Sequence, residues 1–262
     1  MIRKASYKGS WYPEDVKELD RLCKTDGSGE IRAAILPHAG LIYSAPLISA
    51  FFQNLREEIQ RVIIISPSHY YPLMDGIFYS SSFSRSETPY GLITNFPFPL
   101  SSVPFDDAVS REHGIEMFLP FVAKKKLSVS YALLSRVKSH DDVVKRGEAI
   151  AALMDEKTAF IASSDFTHYG RRFGYTPYGN YALERVKDSD YKIASSLAAG
   201  DTEGVFSIHE NTTICGIAGA MILSYAAKLK GLKGEVGDHY TSYDVYPDCA
   251  DDFVSYFDVF WK

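Results

Sequence analysis

The chain has 262 residues, 46% hydrophobic and 23% charged, which is ordinary globular usage with enough apolar matter for a sizeable core. Lys and Arg number 28 against 33 Asp and Glu, a formal net charge of −5; the lone cationic run, Lys124-Lys125-Lys126, reads as a solvated helix end, which argues against a nucleic-acid partner. No apolar run approaches the ~18 residues of a membrane helix and the N-terminus lacks an export-type apolar core, so the expectation is a cytoplasmic protein with no membrane partner.

In chain order, Pro13 to Cys23 predicts a helix with Glu14, Asp15 and Glu18 in its N-terminal half. A strand over Ile31–Leu36, a helix over Ala45–Glu58 and a strand over Arg61–Ser66 follow. Gly76–Ser81 reads as a further strand, after which a Ser- and Pro-rich stretch runs to Pro104. Ala108–Val122 predicts a helix, interrupted or ended around Pro120. Leu127–Leu134 reads as a strand, with Val129, Tyr131 and Leu133 on alternate positions. Asp141–Met154 clusters Val143, Val144, Ile150 and Leu153 at helical intervals. Thr158–Ser163 is a strand, Asn180–Ala199 a helix and Thr202–His209 a short helix. Thr213–Leu229 is rich in Ala and Gly, suited to packing closely on a sheet. Glu235–Asp244 and Asp252–Phe260 finish the chain as a pair of strands. No repeat, low-complexity tract or long linker divides the sequence, which predicts one domain, 1–262. The alternation of strand and helix predicts the α/β class: a three-layer αβα domain around a mixed, largely parallel central sheet.

Two of these strands end alike, in Leu36-Pro37-His38-Ala39-Gly40 and Ser66-Pro67-Ser68-His69. Proline cannot donate to a ladder and turns the chain away from the sheet. Ligands of open α/β sheets bind at the carboxyl ends of strands. If these two strands are neighbours, about 4.8 Å apart, His38 and His69 converge as the start of a metal site. Each histidine alone also suits a hydrogen-bonded core position. A third strand ends in Ser163-Ser164-Asp165-Phe166-Thr167-His168. Asp165 there is able to accept from an imidazole N–H and fix its tautomer, or to ligate directly. His168 is a candidate general acid/base, although the pair also reads as a helix cap and a surface residue.

Of the three cysteines, Cys215 precedes Gly216 at the entrance of an apolar helix, where a lowered thiol pKa favours the thiolate for metal binding or attack. Cys23 and Cys249 have no such context and read as structural or surface thiols, and the absence of a CxxC pair rules out a disulfide framework. His113 and Glu116 are three apart and suggest a polar wall of the cleft, not a zincin HExxH site. Trp11 and Tyr12 are candidates for a further wall. Phosphate loops, dinucleotide fingerprints and GxSxG elbows are missing from the sequence.

Six ordered segments carry a specific resemblance. They are Gly9-Ser10-Trp11-Tyr12, Pro37-His38-Ala39-Gly40, Pro67-Ser68-His69, Glu112 to Pro120, Ser163 to Gly170 and Thr213-Ile214-Cys215-Gly216. In this order they resemble the Memo family, in its prokaryotic branch. The resemblance implies a fold similar to class III extradiol dioxygenases and places His38, His69 and Cys215 as metal ligands, with Asp165 and His168 lining the pocket. It also implies a radical-SAM protein and an AMMECR-type protein as partners, from gene neighbourhood. Phe118 and Tyr7 stand where some relatives carry histidine. Dioxygenases of that class use two histidines and a carboxylate on iron. A thiolate in the carboxylate's place turns preference toward iron, copper or zinc held partly by sulfur, so ring cleavage does not transfer.

The functional expectation is therefore a metal-binding redox or oxygenase-like protein, iron in first place, acting on a small molecule or peptide in the cleft. The alternatives are a non-catalytic module that holds a peptide or anion, and a zinc-dependent hydrolase.

Overall fold

The computed structural model describes residues 1–247 and 250–262, so Cys249 lies outside the described residues. Its centre is four parallel strands in the order Ala33–Leu36, Thr158–Ser163, Arg61–Ser66 and Ser128–Leu133. These strands are buried on both faces, which is why they read as continuous apolar runs. The two-residue side-chain period splits them between two cores. Ala34, Leu36, Val62, Ile64 and Val129 pack with Ala45, Ile48 and Phe51 of the helix Leu41–Gln53 on one face. Ala33, Ile35, Ile63, Ile65 and Phe160 pack on the other against the helices His140–Leu153, Ala182–Ala199 and Ile217–Leu229. The result is helix, sheet, helix.

The sheet is open and mixed. Phe253–Trp261 runs antiparallel beside Ala33–Leu36, and Gly234–Thr241 and His168–Tyr169 both pair antiparallel with it. At the other edge Tyr79–Ser80 is antiparallel to Ser128–Leu133, with Val103–Pro104 beyond. Among the described residues no helix is long and apolar enough to cross a membrane.

Three local differences from the expectation have physical causes. The helix at residue 41 begins about one turn early, enclosing Pro46 at the loss of one ladder bond, and stops at Asn54. The Ser-rich stretch hides a hairpin, Arg85–Thr88 with Gly91–Thr94, which joins Ile2–Arg3 in a separate small sheet. Its strands carry too few apolar residues to announce themselves. The span expected as one helix over Ala108–Val122 is three: Asp106–Arg111, His113–Glu116 and Leu119–Lys124. The first break falls at Glu112, whose extended backbone (φ −82°, ψ 112°) turns its side chain back to cap Gly114 N–H. That break matters for the site.

Candidate metal centre

The His38 and His69 strands are not neighbours; Thr158–Ser163 runs between them. The middle strand ends in the small Ser163, and the two imidazoles meet with ring centroids 4.9 Å apart. His113, at the start of the helix that follows Glu112, completes the group: its ring lies 4.2 Å from that of His69 and 5.2 Å from that of His38. One ring nitrogen from each of the three comes within 4.8 Å of the others, an arrangement able to hold a metal ion. His113 thus stands among the donors, closer in than the cleft wall expected for it.

Hydrogen bonds fix which nitrogens face inward. Ser163 Oγ donates to the Gly114 carbonyl at 2.6 Å and lies 2.6 Å from His38 Nδ1. With its proton committed, the hydroxyl accepts, so His38 carries its proton on Nδ1 and turns the Nε2 lone pair to the cleft. His69 Nδ1 faces the Glu112 carboxylate at 2.7 Å, and Glu112 also accepts the His69 main-chain N–H at 2.9 Å. A carboxylate accepts only, so His69 keeps a proton on Nδ1 and turns Nε2 to the cleft. His168 Nδ1 faces two carbonyl oxygens, of Phe166 at 3.1 Å and Thr213 at 3.0 Å, and is bound to the same tautomer. His113 Nδ1 is 3.0 Å from the Tyr70 hydroxyl. His38 thus offers an inward lone pair, and His69 would offer one on giving up its Nε2 proton, as a metal site demands.

Cys215 sits in the loop before the helix Ile217–Leu229, its Sγ 3.2 Å from His38 Nε2. Here the sequence expectation of a lowered pKa is corrected: burial pushes the thiol up, outweighing the neighbouring His69. A bound metal would reverse this, since a coordinating thiol gives up its proton. Burial, then the nearby imidazoles, hold His38 well below the ordinary histidine range and His113 down to about 3. Burial also works against a charged His69, but Cys215 and Glu112 outweigh it and raise that residue. Glu112 is in turn held low: burial opposes, yet His69 prevails.

Asp165 acts on the backbone. Its Oδ1 accepts the His38 main-chain N–H at 2.7 Å, pinning the loop after the strand, and burial raises its pKa. Ser163, and not Asp165, fixes the His38 tautomer.

The cleft above the imidazoles has a volume of about 580 Å³, and its lining includes Trp11, Tyr43, Phe173 and Tyr256 with Asp165 and His168. Trp11 lies 4.5 Å from the His113 ring. Tyr12 and Glu116 are not on this lining. Glu116 is fully buried, paired with Arg3 at 2.7 Å and accepting from the Tyr12 hydroxyl at 2.9 Å and the Tyr7 N–H at 2.7 Å. They form a staple behind the wall, because a carboxyl group buried in the core needs that many partners. Phe118 is core and Tyr7 is tied by its hydroxyl to the Arg111 carbonyl.

Comparison with known proteins gives the family. A family model described as Memo, Memo-like protein, matches residues 3–260. The chain belongs to the Memo family. A protein memo-1 homolog of Caenorhabditis elegans is 30% identical over 97% of this chain and 81% of its own length. A MEMO1 family protein of the archaeon Thermoplasma volcanium is 29% identical, with 98% of this chain and 97% of its own covered. Another, of Thermococcus onnurineus, is 28% identical over 94% of each. The α/β architecture with an open mixed sheet is the Memo architecture expected from the motifs.

Sequence reasoning missed Glu112, Ser163 and Tyr70 in this Memo site. Each lay within or beside a motif: Glu112 directly before His113, Ser163 at the strand end before Asp165, and Tyr70 after His69. Their signal was adjacency to a candidate ligand.

Proposed function

We propose that this Memo-family chain binds one metal ion, iron in first place with copper or zinc as alternatives, and uses it in redox or oxygenase-like chemistry on a ligand in the cleft. The observation that carries the reading is the convergence of one ring nitrogen each of His38, His69 and His113 within 4.8 Å of one another, with Cys215 Sγ 3.2 Å from His38 Nε2 and the His38 and His69 Nδ1 atoms tied back to Ser163 and Glu112. The donor set suits such an ion: the neutral imidazole of His38, that of His69 once a metal displaces its Nε2 proton, and a thiol able to become a thiolate, with His113 beside them. When bound, the metal supplies Lewis acidity and, for iron or copper, electron transfer.

The protein's own groups do the rest. His38 and His69 hold their rings in register through their Nδ1–H bonds. His168 keeps its Nδ1 proton on two carbonyls and offers Nε2 to take a proton from the ligand. Asp165 fixes the His38 loop, and the aromatic walls exclude water. A radical-SAM protein and an AMMECR-type protein are the partners proposed from the family's gene neighbourhood.

Protein purified without oxygen and analysed for metal should carry about one ion per chain. Replacing His38 and His69 together by Ala should remove it and leave the far-UV circular dichroism unchanged. Stoichiometric metal in that folded double variant would sink the assignment. Metal-dependent oxygen uptake with a reductant separates turnover from simple ligand holding.

A further inference from the structure

The mouth of the cleft carries a cation that the metal reading does not use. Residues 170–174 run Gly-Arg-Arg-Phe-Gly, a single 3-10 turn over Arg171–Phe173 that sets Arg172 and Phe173 on the cleft lining. The turn is built firmly. Gly170 N–H donates to the Tyr175 carbonyl at 2.8 Å, and Tyr175 N–H returns the bond at 3.1 Å. The Arg172 main-chain N–H donates to Asp252 Oδ1 at 3.0 Å. Gly170 has φ +126°, and a Cβ there would stand 2.0 Å from that same Asp252 oxygen, so the position requires glycine. Phe173 meets the His168 ring edge-on at 5.2 Å, and the Arg172 guanidinium lies 5.7 Å from the Phe173 centroid.

Among the described residues the Arg172 side chain has neither an ion-pair nor a hydrogen-bond partner. An exposed arginine is common on any surface. This one is presented by a pinned turn beside a cavity of about 580 Å³, within the size range of small-molecule sites. The other walls are largely apolar and flat, with Trp11, Tyr43, Phe253 and Tyr256 among them. The carboxylates on the lining are engaged: Asp165 by the His38 N–H and Asp252 by the Arg172 N–H.

A free guanidinium over an aromatic slot selects an amphipathic anion. Its planar fork matches a carboxylate with two parallel hydrogen bonds. One guanidinium suits a single negative charge, and the Asp252 carboxylate close by disfavours a phosphate dianion. We propose that the cleft takes a flat, apolar carboxylate, an arylalkanoate in its simplest form, gripped at the mouth by Arg172. Its body lies among Trp11, Tyr43 and Phe173, and its far end points to the imidazoles. The far end alone rests on the metal reading; the grip by Arg172 does not.

The protein has two tryptophans, and Trp261 is 1% exposed in the core, so a ligand-induced change in fluorescence reports on Trp11. Phenylacetate, 3-phenylpropionate, their primary amides and phenyl phosphate are titrated into the protein as isolated, and into Arg172→Gln and Arg172→Lys. The acids should bind saturably and at least about tenfold tighter than the amides, the worth of a charged hydrogen-bonded pair. Arg172→Gln should erase that preference, and Arg172→Lys should keep part of it. Failure of all probes to saturate, equal binding of acids and amides, tighter binding of phenyl phosphate, or full acid affinity in Arg172→Gln each overturns the proposal. The last result places the carboxylate on the metal and leaves the metal reading intact. Metal analysis of the same preparations tests that reading separately: an Arg172-dependent acid preference in metal-free protein supports the grip and counts against the metal.

Discussion

Glu112 holds His69 at two points, taking its main-chain N–H on Oε2 at 2.9 Å and facing its Nδ1 with Oε1 at 2.7 Å. One carboxylate therefore sets both the position of the loop and the direction of the ring. The same group caps the helix that carries His113, through Gly114 N–H at 2.9 Å. Two candidate ligands from distant parts of the chain share one anchor.

Replacing Glu112 by Gln leaves the volume and one acceptor oxygen but puts an NH₂ where an acceptor stood. Outer carboxylate partners of metal-bound histidines typically carry 10–100-fold in affinity. Chelator competition with iron should show a loss on that order, with the metal-loaded fold retained. An unchanged affinity would mean that Glu112 serves the helix cap alone.

Ser163→Ala removes the acceptor for His38 Nδ1–H and frees the ring to turn. The expected outcome is a mixture of imidazole tautomers at His38, seen as split ring-nitrogen resonances in the metal-free protein. Metal affinity should fall less than for Glu112→Gln, because a neutral hydroxyl polarises the ring less than a carboxylate. A single Nδ1–H tautomer in this variant would assign the ring's orientation to packing instead.

The four central strands were legible to within a residue or two because burial on both faces writes an unbroken apolar run. The proline after Leu36 and after Ser66 marked where those strands release the chain, and so exposed His38 and His69. The strand order was not legible. Nothing local tells that Thr158–Ser163 inserts between the two histidine strands. Hydrogen-bond partners such as Ser163 and Glu112 were hidden for a related reason: a single polar contact across the fold has no period in sequence. Glu116 misled because helical spacing placed it beside His113, whereas the break at Glu112 and the buried Arg3 draw it to the far side of the wall.

Arg3 and Glu116 are both fully buried, and Arg3 also donates to the carbonyls of Val109 at 3.2 Å and Glu112 at 3.0 Å. The pair fastens the N-terminal segment that brings Trp11 to the cleft. Arg3→Met strands an unpaired carboxylate in the core, which typically costs about 3–5 kcal/mol. Urea unfolding should report a loss of that size, partly recovered when Glu116→Gln is added, since the neutral side chain no longer needs a cation. A loss under ~1 kcal/mol, the scale of a surface pair, would show that the staple contributes little.

Asp258 supplies the pH test. It lies in the strand Phe253–Trp261, is 1% exposed, accepts the Asp238 N–H at 2.7 Å on Oδ1, and has no partner for Oδ2 among the described residues. Burial, helped by the nearby Asp238 charge, raises its pKa to about 7. The folded protein thus holds this proton more tightly than the unfolded chain, whose carboxylate titrates near 3.9. Stability falls as pH rises from about 4 to about 7, and the full cost stands above that range. Asp258→Asn keeps an oxygen for the Asp238 N–H and removes the ionisation. The variant and the parent should share one stability below pH ~4, then separate until the variant is more stable by roughly 4 kcal/mol above pH ~7, the worth of a shift of about three units. Chemical unfolding at a series of pH values reads this directly, and parallel curves across the range would show that Asp258 ionises in the fold as freely as in the open chain.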